Sequence, residues 1–364
     1  MNARERFHRI MSYQPVDRLP VMVIDPYESA TVERWRREGL PEGVSPTDFL
    51  NMDTPPDFSV NFGPIPAFER RILWESDTEY VERDGMGCTV RHRKEAPAMY
   101  YGHIDHPVKS ADDWRRYKER LSATTPGRIH PELPRAIEAV NGSQTPVGLH
   151  LYPFFFRFGF YLMGMERFLT AFYDTPDLMH EIFETYGRFM LDVIRPLLGK
   201  ARLDFVHFSE DLAYRNGPHI SPAIYRDFWL PHQEPLMRAV TEAGVPIVSM
   251  YTSGNCEALL GMLLENGFNC TWPCERNAGM DPIKLRKTFG RDLRMVGGIG
   301  HTCLAAGRED IDREIDRLLP LIDEGGFIPV VDDMPPPEVP FANYRYCTER
   351  LAALRLGGPP DPPK

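Results

Sequence analysis

Through the second half of the chain, short apolar runs alternate with longer amphipathic stretches. The runs lie at Leu203–Phe208, Pro246–Met250, Phe268–Trp272, Leu293–Val296 and Phe327–Val331. Between them lie Pro222–Ala243, Asn255–Glu265, Pro282–Phe289 and Arg308–Asp323, and Asp174-Thr175-Pro176 opens a further long segment to Leu198. An apolar run without polar alternation is the mark of a parallel strand buried on both faces. Strands alternating with helices predict an α/β fold with a parallel sheet and helical crossovers. The boundaries are written locally. Ser221-Pro222 and Asp281-Pro282 each supply a capping side chain followed by proline at the first helical position, and Gly244, Gly267 and Gly290 stop helices.

The first half is less regular. Arg4–Ser12 predicts a short amphipathic helix, Leu19–Ile24 a first strand, and Thr145–Leu149 the resumption of strands. Arg70–Glu75 and Cys88–Arg93, around Arg83-Asp84-Gly85, predict a hairpin within an insertion spanning about residues 51–101. Residues 1–356 are expected to form a single domain, and the Gly/Pro-rich residues 357–364 a flexible tail. Periodicity alone leaves a closed barrel and a doubly wound open sheet equally open.

In parallel sheets, ligands sit beyond the carboxyl ends of the strands. The residues at those ends are Asp25 and Tyr27; His150, Tyr152 and Phe154-Phe155-Phe156-Arg157; Glu210 and Asp211; and Tyr251 to Asn255. Cys274, Glu275 and Arg276, then His301, and finally Asp332 and Asp333 complete the set. Carboxylates recur at three of these ends, and converging carboxylates raise one another's pKa and hold a proton for delivery. Acidic residues there also serve as helix caps or as ion-pair partners of Arg157, Arg215 or Arg276. The phenylalanine run with Arg157 reads either as core packing or as an apolar wall with one cation for an anionic group.

Composition narrows the field. A net charge of −10 argues against nucleic acid or an anionic membrane as partner. The most apolar stretch, Leu149–Met165, contains Pro153 and Arg157, and Met1–Arg9 has no apolar run. Six scattered cysteines predict reduced thiols, hence a cytoplasmic protein. Cys270 and Cys274 make a C-x3-C unit, with Cys256 and Cys303 near other strand ends, but no second pair completes a zinc site, so no metal is expected there.

Ordered motifs give the chain a family likeness. They are Arg4-Glu5-Arg6-Phe7, Pro15-Val16-Asp17-Arg18, Arg34-Trp35-Arg36-Arg37-Glu38-Gly39-Leu40-Pro41 and Ile220-Ser221-Pro222. Pro273-Cys274-Glu275 with Ala278-Gly279-Met280-Asp281, and Gly325-Gly326-Phe327-Ile328-Pro329, complete the series. Together they resemble the uroporphyrinogen decarboxylase-like superfamily, which includes cobalamin- and coenzyme M-linked methyltransferases. The resemblance implies a (β/α)8 TIM-type barrel with an N-terminal helical extension and a site at the strand C-termini. The arginine-rich segment with which the decarboxylase grips its substrate has no counterpart after Pro20. The thiol-methylating branch resembles this chain around Tyr251-Thr252-Ser253-Gly254, but carries a zinc-binding His-x-Cys pair there and a further Cys near Asp332. Tyr251, Ser253, Asp332 and Asp333 cannot supply those thiolates.

Three functions follow as expectations. The first is a methyltransferase-like enzyme moving a methyl group between a small substrate and a corrinoid protein. Glu210, Glu275, Asp332, Asp333 or His301 would manage the proton, Tyr251 and Asn255 would orient the leaving group, and Tyr27, His150, Phe156 and Arg157 would bind substrate. The second is a decarboxylase or lyase acting on a small carboxylate. The third is a non-catalytic ligand-binding barrel. Oligomeric state is not readable from the sequence.

Overall fold

A computed structural model describes residues 1–23, 27–53, 57–58, 60–95, 101–129 and 133–354. The predicted tail at 357–364 and Asp25 lie outside the described residues. Strands are numbered in chain order: β1 (Asp57–Phe58), β2 (Arg71–Glu75), β3 (Glu79–Arg83), β4 (Thr89–Arg93), β5 (Tyr101–Asp105), β6 (Gly148–Leu151) and β7 (Phe205–Ser209). There follow β8 (Ala213–Tyr214), β9 (Gly217–Pro218), β10 (Ile247–Tyr251), β11 (Cys270–Cys274), β12 (Arg294–Ile299) and β13 (Phe327–Val331).

The main sheet has seven strands in the order β1-β6-β7-β10-β11-β12-β13, every neighbouring pair parallel. Helices cross over between the strands, as the alternation predicts; Pro222–Ile224 and Pro282–Phe289 begin where the Ser221 and Asp281 caps place them. Ser221 Oγ accepts from the Ile224 amide, and Asp281 Oδ1 accepts from that of Ile283 at 2.9 Å. Among the described residues no ladder joins β13 to β1.

The predicted first strand is where the reading departs. Residues 19–23 carry no strand. Pro20 has no N–H to give to a ladder, and Asp53 takes over the neighbouring backbone groups. Its carboxylate accepts from Val21 N at 3.2 Å, and its own amide donates to the Val21 carbonyl at 2.6 Å.

Three strands begin two or three residues later than the apolar runs suggest. β6 starts at Gly148, β7 at Phe205 and β11 at Cys270. The shift puts Cys274 inside a strand and Glu275 directly after it. In β11 the register slips between Thr271 and Cys274, across Trp272-Pro273. Gly297 faces this bulge at φ +120°, where an added Cβ would lie 2.6 Å from the Cys274 amide nitrogen.

The helix Ala3–Met11 docks at the amino ends of the strands. Arg4 and His8 both bond Asp204, at 3.0 and 2.5 Å, and that carboxylate also accepts from Val147 N at 2.7 Å. At its far end, the Met11 carbonyl accepts from Arg294 and the Ile10 carbonyl from the Gly326 amide. Polar groups at the base of β6, β7, β12 and β13 are thereby satisfied by one short helix.

The insertion is a four-stranded antiparallel meander, β2-β3-β4-β5, rather than one hairpin. Both predicted arms are strands, but each pairs with β3 between them, and Asp84 closes the β3–β4 turn by accepting the Met86 and Cys88 amides. The missed strands β3 and β5 are rich in charge and histidine, so neither reads as an apolar run. All six cysteines are free thiols. Among the described residues no helix is long and apolar enough to cross a membrane.

Candidate active site at the strand ends

The inner face of the sheet is aromatic. His207 of β7 lies 4.6 Å from His150 of β6, 5.5 Å from Tyr251 of β10 and 4.4 Å from Trp272 of β11, ring to ring. These contacts join side chains of four adjacent strands, in which His150 and His207, and Tyr251 and Trp272, are register partners. His207 Nδ1 bonds Ser249 Oγ, and burial holds this imidazole well below its ordinary pKa, so it is neutral. Trp272 Nε1 is buried without a hydrogen-bond partner.

Beyond this layer, at the carboxyl ends of β11 and β13, acidic groups gather. Asp332 follows β13 and is 1% exposed. Its Oδ2 accepts from the Arg276 amide at 2.5 Å, while Oδ1 is buried with no hydrogen-bond partner. Burial, reinforced by the nearby charges of Glu275 and Asp333, pushes this carboxyl up to about 8. Glu275 is likewise raised, by burial first and by Asp333, although its Oε2 accepts from the Gly254 amide at 2.5 Å. Gly254 has φ +82°, and a Cβ there would lie 2.6 Å from the Ala213 carbonyl. Only glycine lets this turn close onto Glu275. His301 opens the helix His301–Ala306, its ring nitrogens 3.0 and 3.3 Å from Asn277 Nδ2, and its charge lowers the Glu275 pKa. Glu275, Asp332, Asp333 and His301 are thus brought together.

Glu210 is committed elsewhere. It is 2% exposed; Oε2 accepts from the Phe156 and Arg157 amides at 2.8 and 3.3 Å, and Oε1 from Trp229 Nε1 at 2.8 Å. It therefore caps the helix Phe155–Met163 from a strand end, and burial pushes it up to about 8 against those three donors. Trp229 reaches it from a π-helical turn, Tyr225–Trp229, just ahead of Pro231.

The phenylalanine run packs the layer between sheet and helices. Phe154 lies 5.0 Å from Phe208, Phe155 stacks on Phe183 at 4.7 Å, and Phe156 stacks on His219 at 5.3 Å. The Glu210 cap turns the chain into a helix there, so the run does not continue along the strand. Arg157 emerges beside Asp211, 3.1 Å away, with its guanidinium 5.6 Å above the Tyr152 ring; its Nε is buried without a partner. Asn255 spends both ends of its amide on backbone, accepting from Glu257 N and donating to the Ala278 carbonyl. Tyr27 packs on Trp35 and bonds Tyr344 Oη at 3.1 Å, tying the N-terminal extension to the helix Phe341–Ala353.

The residues suit a zinc-thiolate centre poorly. Cys256, Cys270 and Cys274 are buried, and burial raises all three thiols above their ordinary pKa. Among the described residues, the strand-end carboxylates and His301 form no group close enough to share a cation.

Sequence reasoning named Arg276 only as a strand-end cation and missed both its backbone amide's bond to Asp332 and Asn277, which bonds His301. Backbone roles leave no trace in residue type. His207 and Trp272 were hidden inside apolar runs.

Residues 75–353 match the model of the family described as Uroporphyrinogen decarboxylase (URO-D). No curated protein matches the chain. Among solved structures, one described as a methyltransferase from Methanosarcina mazei is similar over 97% of this chain and 100% of its own, at 15% identity and a TM-score of 0.54. At that identity the likeness speaks for the fold. A B12-independent methionine synthase from Shewanella sp. W3-18-1, in complex with selenomethionine, is similar over 84% of this chain and 82% of its own, at 12% identity and a TM-score of 0.41.

Proposed function

The chain belongs to the uroporphyrinogen decarboxylase family, and from that premise we propose that it is a methyltransferase-like enzyme working at the strand ends of a closed barrel on a small methylated substrate. One observation carries the reading. Asp332 is a buried strand-end carboxyl with one oxygen held by a backbone amide, the other without a hydrogen-bond partner, and a pKa near 8.

A carboxyl kept protonated at neutral pH donates to a leaving heteroatom. In the proposed step a nucleophilic acceptor takes the methyl carbon and the carbon–heteroatom bond breaks. The heteroatom keeps the electron pair and receives the Asp332 proton. In this reading Glu275 and Asp333 keep that proton on Asp332 through their charge, and His301, whose charge acts on Glu275, exchanges it with solvent by way of Glu275. Tyr251 and His150 border the substrate on the aromatic side. Glu210 positions the helix that carries Arg157. A corrinoid on a partner protein is the acceptor in this reading, supplying the nucleophile.

Decarboxylation is the less supported alternative, because it needs a cation over the departing carboxylate. The Arg157 guanidinium already pairs with Asp211. The test is to follow the spectrum of added cob(I)alamin with a panel of methylated amines, ethers and thioethers. Formation of the methylated corrinoid by the wild-type chain, and its loss in Asp332→Asn, is the expected result. No methylated corrinoid with any donor removes the corrinoid version.

A further inference from the structure

The meander carries a side-chain cluster that the strand-end chemistry does not use. Cys88 precedes β4, His103 lies in β5 and His106 follows β5. In a regular strand, residues three apart face opposite sides of the sheet. Here Thr89 pairs with Asp105 but Val90 pairs with His103, so Ile104 is an extra residue in β5. This bulge turns His106 onto the face that holds His103 and Cys88. The two imidazoles stack, 5.1 Å apart with 13° between planes. One ligand-capable atom from each of the three residues lies within 4.8 Å of the others.

We propose that Cys88, His103 and His106 form a binding site for a borderline-soft divalent cation, with zinc as the commonest fit. Thiolate and imidazole are the ligand types such an ion prefers, and a tetrahedral site holds its ligand atoms about 3.5 Å apart. Closing from 4.8 Å to that spacing is a displacement of about 1 Å. Two further observations point the same way. His103 Nδ1 is buried and has no hydrogen-bond partner. His106 Nδ1 lies 3.1 Å from the Tyr161 carbonyl and 4.0 Å from Cys88 Sγ, so a cation taken up there would draw this nitrogen and the thiol together. Cys88 Sγ donates to the same carbonyl at 3.1 Å, a proton the cation would displace. The fourth position is left to solvent or a bound molecule.

Placement gives the site a use. Tyr161 belongs to the helix Phe155–Met163; its carbonyl faces the cluster and its hydroxyl bonds Tyr152 at 2.7 Å, beneath Arg157. A cation held by β4 and β5 would pin the meander to that helix and so fix the Arg157 side of the cavity. The proposal does not depend on which reaction the strand ends perform.

The test uses the full-length chain, stripped with chelator and titrated with Zn2+ and with Co2+ against a chromophoric competitor. The wild-type protein is expected to hold one equivalent, with a thiolate-to-cobalt charge-transfer band in the Co2+ form. Cys88→Ser, whose hydroxyl keeps the bond to Tyr161, and His103→Gln should each weaken binding at least about tenfold, and Cys88→Ser should abolish the band. His180→Ala, remote from the cluster, should bind as the wild type does. Circular dichroism establishes that each variant is folded. Absence of stoichiometric metal in the wild type, or equal affinity in the wild type and both cluster variants, overturns the proposal.

Discussion

The backbone amide of Arg276 donates to Asp332 Oδ2 at 2.5 Å and leaves Oδ1 of the same carboxyl buried and unbonded. An ionised carboxylate so buried would have one oxygen stripped of water with nothing in exchange, at a cost of a few kcal/mol. A proton on Oδ1 removes that cost. The asymmetry therefore favours a proton on Oδ1, and the bulged end of β11 creates it by bringing Arg276 to the end of β13.

Asp332→Asn keeps the acceptor for Arg276 and removes the transferable proton. Turnover is expected to fall by about 10²–10⁴, the usual worth of a general acid, with little change in substrate affinity. Steady-state kinetics of wild type and variant check this; an unchanged kcat rules Asp332 out as the acid.

The same carboxyl sets a pH dependence of stability. Its folded pKa, near 8, lies above the ordinary 3.8. Between those values the folded state binds the proton and the unfolded state does not, so stability falls as pH rises, by at most about 1.4 kcal/mol per unit. The contribution is complete below pH 4 and gone above 8. Urea unfolding across this window should give a shallower decline for Asp332→Asn than for the wild type, and identical slopes would contradict the assignment.

Glu210 was read from the sequence as a proton donor, and its three bonds describe a cap instead. Glu210→Ala would leave the Phe156 amide and Trp229 Nε1 buried and unpaired, each costing about 1–3 kcal/mol. Chemical denaturation should show a loss of a few kcal/mol. A variant of wild-type stability but no activity would return Glu210 to the chemistry.

Legibility followed the physics that each element obeys. The strands buried on both faces are apolar runs, so β10, β12 and β13 begin within one residue of where the pattern puts them, and the Ser221 and Asp281 caps are read directly. The meander was only half legible because β3 and β5 expose or pair their charged residues and lack an apolar run. At the candidate site, Glu275, Asp332, Asp333 and His301 were legible as candidates because strand ends are where parallel sheets place ligands. Glu210 is a carboxylate at the same kind of position, yet it accepts from two backbone amides and Trp229 Nε1. Sequence cannot separate a cap from an acid when both are carboxylates after a strand. The Cys88–His103–His106 group escaped because a one-residue bulge brings it together.

Arg157 separates the two chemical readings most directly. It is 30% exposed and pairs with Asp211, itself 44% exposed, so replacing it should cost no more than about 1 kcal/mol of stability. A decarboxylase needs a positive charge above the departing carboxylate, and Arg157→Met would abolish that activity. In the methyl-transfer reading the guanidinium meets only a remote anionic group of the substrate, if there is one, so kcat should survive and any loss should fall on KM. Measuring both constants on whichever substrate turns over therefore assigns the role of this cation. A collapse of kcat in a fully folded Arg157→Met protein would move the proton donor at Asp332 into the service of decarboxylation.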